Sequence, residues 1–186
     1  MSAGETARTN YDSARQEILE RLQLRDNVLL IYLGAIGTIF GIALGTSVNA
    51  EILLIIPFLA LGASVIVSQH NAQIGIIIYF IVYDLEPFFK KIGENAPLLD
   101  SSESIRKFSI QGIWMRSFGH FLVIIIPPIA SLGINYQYSF IAQFPEIVLW
   151  WFGALSTLLS IYFILETHHR RNKIAEKLNS TLKPKV

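Results

Sequence analysis

Four histidines are the side chains of this chain best suited to ligate a metal ion or to transfer a proton: His70, His120, His168 and His169. None stands in a His-x-x-x-His spacing with a carboxylate on the same helix face, the arrangement that helical zinc sites use. With no cysteine in the chain, thiolate ligands, disulfides and cysteine nucleophiles are excluded. Glycine-rich phosphate loops, Gly-x-Ser-x-Gly and paired acid and base carboxylates are also absent from the sequence. We therefore expect no catalytic residue, no metal and no cofactor, and a protein that is not an enzyme.

One polar cluster interrupts an otherwise apolar stretch, and its members are Gln69, His70, Asn71 and Gln73. We group His120 with them, although it lies at the start of a later apolar run. We expect His70, Asn71 and His120 to meet near the inner face of a membrane. There they would line a pore mouth or bind a lipid headgroup. The simpler interpretation is a set of interfacial side chains that hydrogen-bond one another.

The elements that must position these residues are long apolar runs. The composition, 52% hydrophobic and 16% charged with a mean hydropathy of +0.47, is typical of a membrane protein. Uncharged runs are long enough for spans of about 20 residues, the length that the hydrocarbon core requires. The predicted spans are 28–46, 53–69, 119–135 and 147–165, within a single domain of residues 1–186. The fold class is therefore all-α, a polytopic four-helix transmembrane bundle with cytoplasmic helical extensions.

The basic residues predict the orientation of this bundle. Of 15 Lys and Arg residues, four precede the first run, five lie between the second and third, and six follow the last. The other two connections hold none, which is the positive-inside pattern. Both termini and the loop 86–117 should be cytoplasmic. The bias fits the inner (plasma) membrane of a bacterium, although the same rule governs insertion into the endoplasmic reticulum.

The second run contains 32 residues, 52–83, too many for one span and too few for two. A double crossing would place the next basic loop on the opposite side from the basic N-terminus, so we expect one crossing at 53–69. A helical extension to residue 83 then lies below the membrane, where its isoleucines need covering. We infer that it packs with the N-terminal helix of 1–27 and the C-terminal helix of 166–186. A single tilted span and an oligomer interface are the alternatives.

The loop 86–117 should begin at Pro87, break near Gly93 and restart as a second short helix at the capping signature that ends in Glu103. That helix suits a position at the lipid headgroups, as an elbow feeding the third span, or else a protein-binding role. Arginines near the predicted inner interface are expected to contact headgroups: Arg25, Arg116, Arg170 and Arg171.

Small residues recur inside two spans. One helical stripe on the first span holds Gly34, Gly37, Gly41 and Gly45, and the fourth span carries Gly153, Ser156 and Ser160. Such stripes allow close helix contact, either within one protomer or between copies of the chain. Pro127 and Pro128 fall inside the third span and mark a kink, which is either a hinge or a fixed bend that aids packing.

Two functional hypotheses remain, and neither involves nucleic acid. No Asp, Glu, Lys or Arg lies within a predicted span, which argues against an ion-coupled transporter.

The first hypothesis is a homo-oligomeric channel-like or membrane-effector protein, with Thr38, Ser64, Ser156 and Ser160 along its path. In architecture alone, the chain resembles the small multi-span membrane effectors of bacterial defence systems, which implies a membrane-perturbing activity. The alternative is a membrane subunit or adaptor whose inward helices dock a cytoplasmic partner or anionic lipid. The two differ in whether those polar positions face a common axis or are buried within one protomer.

Overall fold

The structure, a computed structural model, describes residues 3–45, 50–93, 103–140 and 144–182, with the side chains of 103–117, 138–139, 171 and 174–182 excepted. The helices are α1 (Ala3–Gly45), α2 (Ile56–Phe80), α3 (Glu86–Lys91), α4 (Glu103–Ile134) and α5 (Glu146–Leu182). Two 3₁₀ helices, Ala50–Ile55 and Tyr136–Ser139, and a π-helical turn, Ile81–Leu85, complete the described elements. The all-α prediction is confirmed.

Helix α1 is continuous over 43 residues because nothing between Ser13 and Leu33 interrupts it, neither proline nor glycine. An i,i+4 pair with an N–O distance of 3.0 Å joins Arg21 to Glu17 on its exposed side. The N-terminal helix therefore runs directly into the first apolar stretch, as the sequence predicts.

The chain is helical to residue 83 and beyond, since α2 continues through the π turn into α3. That the part after residue 69 lies outside the membrane stays a prediction. Pro87 was expected to begin a loop, but it lies in the first turn of α3, where its missing N–H is tolerated. The helix ends instead near Gly93, whose φ of +84° favours glycine.

Helix α4 begins at Glu103 and continues to Ile134. The separate short helix predicted between Glu103 and the third span is thus part of one helix, without the break that an elbow requires. Pro127 and Pro128 lie inside α4 without ending it. The capping residues 100–102 lie outside the described residues.

Helix α2 is central and packs against α1, α4 and α5. The main core joins these helices and contains Tyr32, Ile36, Leu53, Ile56, Ala60, Ala63, Val67, Ile124, Ile125 and Ile164. Three helical stretches are long and apolar enough to span a membrane, Ala3–Gly45, Ala50–Lys91 and Glu146–Arg170, and Phe118–Ile134 is a shorter apolar helix. Successive long helices run antiparallel, so the bundle has two ends, called here the Arg25 end and the Asn135 end after a residue at each.

A second apolar cluster lies beyond the Arg25 end. It joins the first part of α1 to the π turn and α3, and its buried members are Ala7, Ala14, Ile81, Leu85 and Phe89. The predicted packing of the N-terminal helix on the extension of α2 is confirmed. The side chains of α5 after Lys173, which were expected to join it, lie outside the described residues.

Tyr32 connects α1 to α4 by a buried hydrogen bond. A proline at position 128 has no N–H to donate to the carbonyl of Ile124, four residues earlier. The hydroxyl of Tyr32 donates to that carbonyl over 3.0 Å. A neighbouring helix therefore supplies the donor that the proline removes, the usual way in which an apolar bundle tolerates proline.

A second bond between helices lies nearer the Asn135 end. The hydroxyl of Ser131 on α4 donates to the carbonyl of Leu53, in the 3₁₀ helix that precedes α2. Pro57 lies in the first turn of α2, where its missing N–H is tolerated. Beside Ser131, the side-chain nitrogen Nδ2 of Asn135 donates to the carbonyls of Ala50 and Ser131, each over 3.0 Å. These bonds fix α4 against the start of α2.

Replacing Tyr32 by Phe removes the hydroxyl and leaves the Ile124 carbonyl with one donor fewer. We expect Tyr32→Phe to lower the free energy of unfolding by about 0.6 to 2 kcal/mol, the range for hydrogen bonds between membrane helices. Denaturant titration of the purified protein in micelles measures this. Tyr162→Phe is the control, because the Tyr162 side chain is exposed. Equal losses in the two variants would contradict the assignment.

Candidate functional site

A small cavity lies between helices at the Arg25 end of the bundle. Its volume is about 20 Å³, and it is lined by Val67, Ser68, Asn71, His120, Ile164, Thr167 and His168. Helices α2, α4 and α5 all contribute to its wall. We call it the histidine cavity, because two of its lining residues, from α4 and α5, are histidines.

Hydrogen bonds order the wall of the histidine cavity. The hydroxyls of Ser68 and Thr167 both donate to the carbonyl of Phe163, over 3.1 and 2.8 Å. Nε2 of His168 lies 3.0 Å from Nδ2 of Asn172, one turn later on α5. The cavity thus has a polar side held by α2 and α5.

Arg25 extends this network to α1. Its guanidinium donates to Oδ1 of Asn71 over 3.3 Å and pairs with Asp26 over 2.7 Å. Only 12% of the Arg25 side chain is exposed, so the charge is held within the protein. Asn71, buried between them, links Arg25 to the histidine cavity.

The members of the predicted polar cluster therefore lie in different places, and only some of them line the histidine cavity. Asn71 and His120 meet at the cavity as expected, whereas His70 does not line it. Gln69 is exposed and Gln73 is half-buried. Thr167 and His168 were missed, although Ser160, Ile164 and His168 are spaced four apart and so share one face of α5.

His70 lies on the α1 side of α2, close enough to Arg21 and Arg25 for both to influence its charge. Its Nδ1 is buried and has no hydrogen-bond partner among the described residues. Burial of the ring, with the two arginines, lowers the pKa of His70 from the ordinary 6.5. His70 is therefore neutral at pH 7.

The small residues of α5 pack inside the protomer. A Cβ added at Gly153 would lie 3.3 Å from side-chain atoms of both Leu132 and Pro57, so a larger residue there would require these neighbours to shift. Ser156 and Ser160 are buried, and the hydroxyl of Ser160 donates to the carbonyl of Ser156 over 2.9 Å. The intramolecular interpretation holds for this part of the stripe prediction.

The glycines of α1 behave differently. Gly34, Gly37, Gly41 and Gly45 are all exposed, and a Cβ built on any of them would meet nothing within 4 Å. The expectation that they pack against α2 or α5 of the same protomer is not met, because α1 turns Tyr32, Ile36 and Ala43 toward the core instead. Contact between copies of the chain stays a prediction.

The arginines expected at lipid headgroups are in different situations. Arg170 is 69% exposed and pairs with Glu166 over 2.7 Å, and the hydrogen bond from Arg170 lowers the pKa of that carboxyl. Arg25 is mostly buried, as described above. The side chains of Arg116 and Arg171 lie outside the described residues.

Hydrogen bonds and aromatic contacts join the helices at the Asn135 end. The indole N–H of Trp150 donates to the carbonyl of Leu132 over 3.1 Å, and the rings of Tyr136 and Trp151 contact Trp150 edge-on. Two acceptors there, Oδ1 of Asn135 and Oε2 of Glu146, are buried without a hydrogen-bond partner among the described residues. Aromatic side chains at this position suit an interface with lipid headgroups.

In the part of the chain that the structure describes, no group of three or more His, Asp or Glu side chains is placed to hold a metal ion. No protein-family model, curated protein or solved structure matches this sequence or fold. The functional inference therefore rests on geometry and charge.

The lowered pKa of His70 has a measurable consequence. Because the unfolded chain takes up this proton near pH 6.5 and the folded chain only at lower pH, stability falls as the pH drops below about 6.5 and is fully retained above it. NMR titration of the imidazole should give a midpoint below 6.5. Arg21→Gln should raise that midpoint, whereas Arg8→Gln, more than three turns before Arg21 on α1, should leave it unchanged. A midpoint at or above 6.5 would refute the arrangement.

Proposed function

We propose that this chain is a non-enzymatic membrane adaptor, a four-span bundle that associates with copies of itself through α1 and presents its helical extension to a cytoplasmic protein. The observation that carries the proposal is the burial of the polar span residues within one protomer. Ser64, Ser156 and Ser160 are buried in the bundle. The hydroxyls of Ser64 and Ser160 donate to carbonyls of their own helices, those of Leu61 and Ser156, so they line no polar path.

The membrane location rests on apolar length and charge. Three helices are long and apolar enough to span a bilayer, and α4 supplies a shorter apolar segment from 118 to 134. Among the residues that the structure describes, the basic ones all lie at the Arg25 end of this arrangement or in the segments beyond it. By the positive-inside rule that end, both termini and the connection between α3 and α4 are cytoplasmic.

Self-association through α1 follows from what its span leaves uncovered. Only 11% of its most apolar window is buried, against 44% for the stretch that includes α2. The four outward glycines leave backbone accessible over three helical turns. In a bilayer, small residues on an open helix face permit the close backbone approach that drives helix association. A second α1 fits this face, because the same surface on both copies gives a closed, symmetric contact.

The helical extension supports partner docking. It is held rigid by the cluster of Ala7, Ala14, Ile81, Leu85 and Phe89, so it projects as a fixed element. On its outer side Ile76 is 60% exposed, and Phe80, one turn later, is also exposed. If the crossing ends at residue 69, these two side chains stand in water. An apolar pair on a rigid helix is a site for an amphipathic segment of another protein.

The glycine face can be tested by its effect on assembly. We expect the wild type to be oligomeric in mild detergent and in liposomes, and Gly37→Leu and Gly41→Leu to shift it toward monomer by roughly tenfold or more in dissociation constant, because leucine separates the backbones. Gly62→Leu is the matched control, since Gly62 is also exposed and open but stands outside the stripe. Energy transfer between labelled copies measures the equilibrium. A wild type that is monomeric at all lipid dilutions would contradict self-association.

A channel formed by the oligomer is the second candidate, and one observation favours it. Thr38 is exposed on α1 beside the glycines, with its hydroxyl donating to the carbonyl of Gly34 over 2.9 Å. Several copies arranged around this face would surround an axis lined by Thr38 and glycine backbone.

Conductance of the purified protein in planar bilayers separates the two candidates. The adaptor proposal predicts silent bilayers for wild type and Thr38→Val alike, because the buried serines provide no path. Discrete currents that Thr38→Val reduces would contradict the adaptor and support the channel.

A further inference from the structure

The charged residues of α1 before its apolar part are sorted by helix face. Between residues 11 and 27 all the acidic residues are exposed: Asp12, Glu17, Glu20 and Asp26. The arginines of the same stretch are all partly buried: Arg15, Arg21 and Arg25. Arg25 donates to Asn71 of α2, and Arg15 donates to the hydroxyl of Tyr11 over 3.5 Å. The surface that this part of α1 leaves open is therefore acidic.

This acidic surface continues the glycine face of the same helix. α1 is unbroken from Ala3 to Gly45, and residues three or four apart lie on one side of a helix. Going back from Gly41 in such steps gives a line of exposed residues, called here the α1 seam: Gly41, Thr38, Gly34, Ile31, Asn27, Leu24, Glu20 and Glu17. Glu17, Glu20 and Leu24 also border a groove of about 760 Å³, so this part of the seam faces open space.

We propose that the α1 seam pairs in parallel with the seam of a second copy, and that Glu17 and Glu20 limit the affinity of this pair by like-charge repulsion. The inference rests on the proposed self-association through α1 and adds its geometry and its regulation. Copies in one membrane share one orientation, so two α1 helices pair in parallel about a two-fold axis. Each seam residue then meets the same residue of the other copy.

The two parts of the seam contribute opposite terms. Gly34 and Gly41 allow close backbone approach within the membrane, which favours the pair. Beyond Leu24, Glu17 and Glu20 each meet an identical carboxylate. The helices are therefore closest along the glycines and diverge from Leu24 toward residue 13.

The repulsion is large enough to measure and too small to prevent assembly. The axes of packed helices lie about 8 to 10 Å apart, which places facing carboxylates about 6 to 10 Å apart. In water, two unit charges at this separation change an equilibrium constant by roughly twofold to threefold. Two such pairs, at Glu17 and at Glu20, therefore weaken the dimer by about fourfold to tenfold.

The neighbours of the two carboxylates leave most of this repulsion in place. Gln16 donates to Glu20 over 3.1 Å, and this partner is neutral. Arg21 pairs with Glu17 over 3.0 Å and offsets part of its charge. The Arg21 side chain is only 31% exposed, however, and its charge also acts on His70 of α2. Arg21 is thus turned toward its own protomer, away from the second copy.

The affinity of the full chain in liposomes of zwitterionic lipid tests the charge term. Energy transfer between labelled copies gives the dissociation constant. Glu17→Gln combined with Glu20→Gln should lower it by about fourfold or more at about 10 mM salt, where charges act over about 30 Å. The difference should fall below about twofold at 1 M salt, where they act over about 3 Å. Arg21→Gln should shift the affinity in the opposite direction, because it removes the cation that offsets Glu17.

Asp84→Asn is the control for the change of net charge. Asp84 is exposed on the π turn, which packs on the buried side of α1 through Ile81 and Leu85. It removes one negative charge, as Glu20→Gln alone does, but away from the seam. Asp84→Asn should therefore leave the dissociation constant unchanged at both salt concentrations.

Disulfide formation between copies tests the geometry, since the chain has no native cysteine. Thr38→Cys on the seam should link two copies efficiently on oxidation. Ser13→Cys, one turn before Glu17 and also exposed, should link them several-fold less at low salt. Adding Glu17→Gln and Glu20→Gln should raise the yield from Ser13→Cys. Leu158→Cys, 63% exposed on α5, is the control and should give only background.

The outcomes separate this inference from the proposed function. A wild type without energy transfer, together with Thr38→Cys that does not link, would refute self-association and the seam with it. A wild type that assembles with an affinity that the double glutamine variant leaves unchanged at low salt would refute the role of Glu17 and Glu20 alone. Equal yields from Ser13→Cys and Thr38→Cys, or a higher yield from Leu158→Cys, would refute the geometry while self-association stands.

Discussion

Backbone carbonyls that proline leaves without a donor are the constraint on which this bundle is organised. Inside an apolar environment an unpaired carbonyl is costly, and no water is at hand to satisfy it. Pro128 leaves the carbonyl of Ile124 without its helical donor, and Tyr32 supplies one from α1. Ser131 and Asn135 on the other side of α4 donate to the carbonyls of Leu53 and Ala50. Each bond requires one particular register between two segments, and α4 continues through Pro127 and Pro128.

These contacts inside the protomer determine which side chains remain on its outer surface. Serine, tyrosine and asparagine side chains of the core make contacts within the protomer, and Gly153 lies close to Pro57 and Leu132. On α1 the four glycines and Thr38 are exposed. The apolar window of α1 is also the least buried of the three long apolar stretches, which is why the proposed self-association uses that helix.

The two ends of the bundle differ in chemistry for a related reason. At the Asn135 end, neutral hydrogen bonds and aromatic rings hold the helices, and these contacts respond little to pH. At the Arg25 end, the guanidinium of Arg25 bonds to Asn71, and His120 and His168 line the cavity beside it. In the proposed orientation this end faces the cytoplasm, where the proposed partner on Ile76 and Phe80 would also bind.

The sequence by itself determined the all-α helical bundle and the helical continuation past residue 80, because apolar length and the absence of helix breakers are local properties. It missed the continuity of α4, since a capping signature marks where a helix starts but not whether it later bends. Which face of each helix turns inward was decided only in three dimensions. Both glycine stripes have the same local pattern, yet the packing of Tyr32 onto Ile124 turns the α1 stripe outward, while Pro57 and Leu132 enclose Gly153. His168 likewise joined His120 only because α4 and α5 are neighbours, and such a pairing depends on contacts between residues far apart in the chain.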